Sequence, residues 1–99
     1  MKSIESLRQE IDQVHTELYA LLERRRDLTL AIWKIKQDQG HPFHNAAREA
    51  QILESFVNLN SAKNDPAFDH LLEAVMNNIL REYEKYLRSQ FKPEESGKV

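Results

Sequence analysis

The chain has 99 residues, a net charge of -2, no cysteine, two glycines and three prolines. That length holds one domain with a modest core, and near-neutral charge gives no field that would draw nucleic acid or a membrane surface. The absence of cysteine removes disulfides, thiolate catalysis and zinc-thiolate sites. Ala, Glu, Lys, Leu and Arg make up just under half of the residues, which is an all-helical composition.

Met1-Lys2-Ser3 leads straight into an amphipathic pattern, with no apolar run of the kind that serves as a signal or a membrane span. The expectation is a cytoplasmic protein. The first helix starts at Ser3 or at Ser6, where Ser6-Leu7-Arg8-Gln9 has capping-box form. It runs to about Gln39, stopped by Gly40 and Pro42. Its inward positions are Ile4, Leu7, Ile11, Val14, Leu18, Leu21, Arg25, Leu28, Ile32 and Ile35, so nine of ten are apolar at 3-4 spacing. Arg25 interrupts this seam. A guanidinium there loses hydration unless an anion replaces the water, so the sequence calls either for an internal carboxylate such as Glu49 or for an anionic ligand.

The first helix is roughly 50 Å long at 1.5 Å per residue. A compact chain of this size has a radius of gyration of only about 13 Å, so the helix overhangs what its own chain can cover. Burying the rest of the seam calls for a symmetric dimer with antiparallel long helices. A coiled-coil linker in a larger assembly is the simpler alternative.

A short second helix begins at His44 or Asn45 and carries Ile52, Leu53, Phe56 and Val57 inward. A polar loop follows from Asn58 to Asn64. Asp65-Pro66 then gives an N-cap with proline at the first helical position. The third helix reads Phe68, Leu71, Leu72, Val75, Met76, Ile79, Leu80, Tyr83, Tyr86, Leu87 and fades near Gln90. The helical domain thus covers residues 1–91, with a flexible tail over 92–99.

Lys36 lies eleven residues after Arg25, about three turns and some 16 Å along one face. Two long cations so placed can reach one small dianion. Arg8 is about 42 Å from Lys36 along the helix, beyond the reach of one ligand within one chain. An antiparallel partner crossing near Leu22 would set Arg8 of one chain beside Lys36 of the other. Arg24 and Arg26 read as solvated. His41 and His44 flank Pro42-Phe43, with no carboxylate at ligand spacing, so no metal site is expected.

Leu7-Arg8-x-x-Ile11-Asp12, Leu21-Leu22-x-x-Arg25, Ile32-x-x-x-Lys36, Gly40-x-Pro42 and Arg48-Glu49 together resemble the all-helical class of chorismate mutases. The resemblance runs ungapped from about Leu7 to Leu53 and more weakly to about Tyr83. It implies an all-α fold of three helices, one very long, one short and one of medium length, intertwined as an antiparallel homodimer. It also implies conversion of chorismate to prephenate in aromatic amino acid biosynthesis, without cofactor or metal.

By that resemblance Arg25, with Arg8 from the partner chain, binds the two substrate carboxylates. Lys36 bonds one carboxylate and the ether oxygen, Glu49 accepts the ring hydroxyl, and Arg48 stands beside it. Asn45 replaces the usual aspartate at the start of the second helix. On the third helix an ungapped reading puts Ile79 and Tyr83 where the family has a serine and, four residues on, a glutamine or glutamate. Tyr83 then stands in as the donor to the ether oxygen; a one-residue slip brings Glu82 or Glu84 there instead, either of which donates only when protonated. An isochorismate-pyruvate lyase of the same fold, or a binding module that has lost turnover, are the alternatives; the retained Glu49 favours the mutase.

Overall fold

The computed structural model describes residues 2–91; the tail expected over 92–99 lies outside them. The described residues form three α-helices and one 3-10 turn, and contain no strand. The helices are α1 (Ile4–Gln39), α2 (Ala46–Asn58) and α3 (Pro66–Gln90).

Each boundary has a local cause. At the start of α1 the Ser3 side chain accepts the Ser6 N–H at 3.1 Å, and the Ser6 hydroxyl donates back to the Ser3 carbonyl at 3.1 Å. Ser3 is therefore the cap and Ser6 lies inside the first turn, which sets aside the Ser6–Gln9 box. At the other end Gly40 takes φ +72°, and the His41 N–H reaches the Lys36 carbonyl at 2.8 Å. This left-handed closure satisfies carbonyls the helix would otherwise leave open. Asn45, not His44, caps α2 by accepting the Arg48 N–H at 3.0 Å. Asp65 caps α3 by accepting the Phe68 N–H at 3.1 Å, with Pro66 in the first turn.

The link read as a polar loop holds the 3-10 turn Ser61–Lys63, followed by Asn64 in the left-handed region at φ 51°. Asn60, 9% exposed, donates to the Asp69 carboxylate at 2.9 Å. That bond joins the end of α2 to the first turn of α3 and so helps to fix the rotational phase of α3.

The core is small. Trp33, Met76 and Leu87, at 7, 8 and 3% exposure, are the buried apolar residues among those described. Helix α3 packs on α2 and on the C-terminal half of α1. Trp33 stacks on Phe43 at 4.3 Å between centroids and 5° between planes, and Phe91 leans on both rings. The stack ties the Gly40–Asn45 turn to α1 and to the end of α3. Such a pair adds about 0.5–1.5 kcal/mol beyond its area.

Residues 4–20 of α1 are exposed except for half-buried Ser6. Ile4, Leu7, Ile11, Val14, Leu18, Leu21, Leu28, Ile32 and Ile35 all stand in solvent, from 44% exposed at Leu7 to 69% at Ile4. The radius of gyration is 17.9 Å and the long axis 63 Å, against about 13 Å for a compact chain of this length. No helix among the described residues is long and apolar enough to cross a membrane.

Candidate active site

The C-terminal half of α1, the start of α2 and the last three turns of α3 enclose a cavity of about 310 Å³. Arg25, Lys36, Asn45, Arg48 and Glu49 all line it. Three of these are cations, brought together from two helices by the turn at Gly40. Arg8 is exposed and does not line it, in keeping with its position some 42 Å along the helix from Lys36.

Arg25 is half-buried, and its guanidinium carbon sits 4.5 Å from the centre of the Tyr83 ring. Burial pulls its pKa below the ordinary arginine value; Tyr83 opposes that shift and Arg48 adds to it. It remains a cation, because arginine starts so high. None of the ion pairs among the described residues uses Arg25. Of the two alternatives the seam left open, an internal carboxylate or an anionic ligand, the first is absent among the described residues, and Glu49 faces His44.

Lys36, which lines the cavity, donates from Nζ to the Phe43 carbonyl at 2.8 Å, leaving two N–H donors still to place. Arg48 donates to the Gln51 side chain at 2.7 Å. Asn45 has its side-chain oxygen committed to the cap. The apolar walls come from Leu28, Ile32, Trp33, Phe43, Ile52, Leu80 and Leu87. Arg25 and Lys36, half-buried against these walls, act in a lower dielectric than water and attract a small anion more strongly for it.

The third helix departs from the ungapped reading. Ile79 is half-buried but not part of the cavity wall, which takes Leu80 instead. Tyr83 lines the wall, yet its hydroxyl donates to the Leu22 carbonyl at 2.6 Å. A phenol has one O–H donor, so in this arrangement Tyr83 has none for a ligand. Four residues after Leu80, Glu84 lines the cavity and Glu82 does not. The physical reason is phase. One residue turns a helix by about 100°, and the wall takes Leu80, Tyr83 and Glu84 while Ile79 and Glu82 stay outside it.

His44, outside the expected set, completes the arrangement. Its Nδ1 lies 3.7 Å from Glu49 and 3.6 Å from Glu84, and the ligand atoms of the three residues fall within 4.8 Å of one another. Sequence spacing gave His44 no acidic neighbour for a metal; the fold supplies two, from α2 and α3, and these three are the side chains that would meet around a cation. Glu84 also accepts from Arg88 Nε at 2.9 Å. Both acids of the cavity therefore have basic neighbours other than Arg25 and Lys36. Glu84 is one of the two acids the one-residue slip offered, and the spacing of Met76, Leu80 and Leu87, the face of α3 that turns inward, is the signal that favours it over Glu82.

A family model described as chorismate mutase type II matches residues 7–86 of the chain. Among curated proteins, the bifunctional chorismate mutase/prephenate dehydratase of Aquifex aeolicus (strain VF5) is 37% identical over 60 residues, covering 61% of this chain and 17% of that protein. The chain thus spans a small part of the curated relative it matches. No solved structure matches the chain.

Proposed function

The chain belongs to the chorismate mutase type II family, and on that premise we propose that its cavity binds chorismate and rearranges it to prephenate. The observation that carries this is the half-buried Arg25, which has no carboxylate partner among the described residues and lines the same apolar-walled cavity as Lys36 and Arg48. A dicarboxylate supplies the missing counter-charge.

The rearrangement is unimolecular and needs neither nucleophile nor base. It needs the reactant held in a compact conformer and donors fixed where negative charge develops on the breaking ether bond. Arg25 clamps one carboxylate with paired N–H groups, for which arginine is better shaped than lysine. Lys36 bonds a carboxylate and the ether oxygen. Glu49 accepts the ring hydroxyl, with Arg48 alongside. Glu84 takes the third-helix position and assists at the ether oxygen only when protonated. No step in this chemistry calls for a cofactor.

The same reading makes the functional unit an intertwined antiparallel homodimer. The exposed apolar seam of α1 supports it. A partner helix crossing near Leu22 buries that seam and brings Arg8 of the partner subunit to the second carboxylate, giving two shared sites.

The test is to mix the protein with chorismate and, separately, with isochorismate, and identify the products by mass. Prephenate from chorismate, abolished by Lys36→Ala, is the expected result. Pyruvate and salicylate from isochorismate would make it a lyase. Turnover of neither by a folded protein would leave a binding module.

A further inference from the structure

Arg25 presents a problem of design. A carboxylate partner would compensate its burial best, but would also compete with any anion the guanidinium is meant to hold. The two acids lining the cavity do not take that role: Glu84 is engaged by Arg88, and both Glu84 and Glu49 lie beside His44. What lies under Arg25 is an aromatic face, 4.5 Å away. An aromatic face attracts a cation through its ring quadrupole and occupies none of the N–H donors.

Tyr83 is fixed at both ends. Its backbone belongs to α3, and its hydroxyl bonds the Leu22 carbonyl at 2.6 Å, one turn before Arg25 on α1. That is the single side-chain hydrogen bond between α1 and α3 among the described residues. Swinging the side chain about χ1 would break it, so the bond fixes where the ring lies beneath Arg25.

We propose that Tyr83 is the positioning residue for Arg25: its ring holds the guanidinium over the cavity with every N–H donor left for a ligand carboxylate, and its hydroxyl fixes the ring without entering the chemistry. This rests on the reading that Arg25 clamps a carboxylate of chorismate.

The experiment replaces Tyr83 by Phe, and then by progressively fluorinated phenylalanines, which keep the shape of the ring while draining negative charge from its face. Tyr83→Phe removes the anchor and raises the KM for chorismate about two- to threefold. The fluorinated series raises KM stepwise, by roughly three- to thirtyfold at its end, with a smaller change in kcat. A role in packing alone would leave KM flat across the series. A fall in kcat with Tyr83→Phe, without change in KM, would make the hydroxyl a catalytic donor. Either result overturns the proposal.

A second readout needs no substrate. In urea unfolding, Tyr83→Leu lowers the midpoint of the parent more than it lowers that of Arg25→Leu, because the contact exists only in the parent. Equal shifts in both backgrounds overturn the proposal. If the shifts differ and chorismate is not turned over, the contact stands and it is the mutase reading that fails.

Discussion

Replacing Arg25 by Leu separates a residue kept for a ligand from one kept for the fold. Leucine restores the apolar seam of α1. A fully buried leucine contributes about 1.5–3 kcal/mol; at the half-burial of this position the gain is roughly 1 kcal/mol. Against it stands the lost contact with Tyr83, worth about 0.5–2 kcal/mol. The two nearly cancel, so at fixed protein concentration the urea midpoint should move by less than about 1 M. Activity behaves differently. Hydrogen bonds to charged groups contribute about 1.5–3 kcal/mol each, and a bidentate clamp makes two. Losing both lowers kcat/KM for chorismate by roughly 10²- to 10⁴-fold. Urea unfolding and an initial-rate assay on the same preparation read both quantities. Unfolding of the variant would make Arg25 a structural group. Near-parental kcat/KM would remove the cavity from the chemistry.

Three further outcomes follow from the fold. Trp33→Ala empties the stack against Phe43 and Phe91 and should cost about 3–5 kcal/mol in urea unfolding. Gly40→Ala should cost about 1–2 kcal/mol through its left-handed backbone alone, since nothing lies within 4 Å of an added Cβ; a larger loss would mean a hidden clash. Burial raises the pKa of Tyr83 above its ordinary value of 10.0, against the pull of Arg25 and Arg26. The neutral phenol is then favoured in the folded state, so its contribution is complete below the unfolded pKa and is lost as the pH rises through the folded one. Urea midpoints at about pH 9 and about pH 11 should fall further for the parent than for Tyr83→Phe.

What could be read from the sequence is what depends on local rules. Two glycines and three prolines in 99 residues leave few places for a helix to end, so Gly40 and Asp65-Pro66 marked their boundaries without ambiguity. Arg25 stood out because a single charge in an apolar 3-4 seam contradicts its neighbours. The phase of α3 was not legible, because it is set by a 3-10 turn and by the Asn60–Asp69 bond, neither of which has a periodic signature. Leu80, Tyr83 and Glu84 line the cavity wall and Ile79 does not. Tyr83 reads as inward-facing, but that its hydroxyl goes to Leu22 depends on the approach of two helices that brings together residues 61 apart in sequence. His44 escaped for the same reason, since its acidic neighbours come from two other elements.

The most direct measurement mixes two variants, each altered in one half of the shared site. Arg8→Ala and Lys36→Ala homodimers should each be nearly inactive toward chorismate. After subunit exchange half of the dimers are mixed, and each mixed dimer holds one intact site of two, so about one quarter of the parental activity should return. Full activity of Arg8→Ala on its own, or no recovery once exchange has been verified by mass, would contradict a site built from two chains.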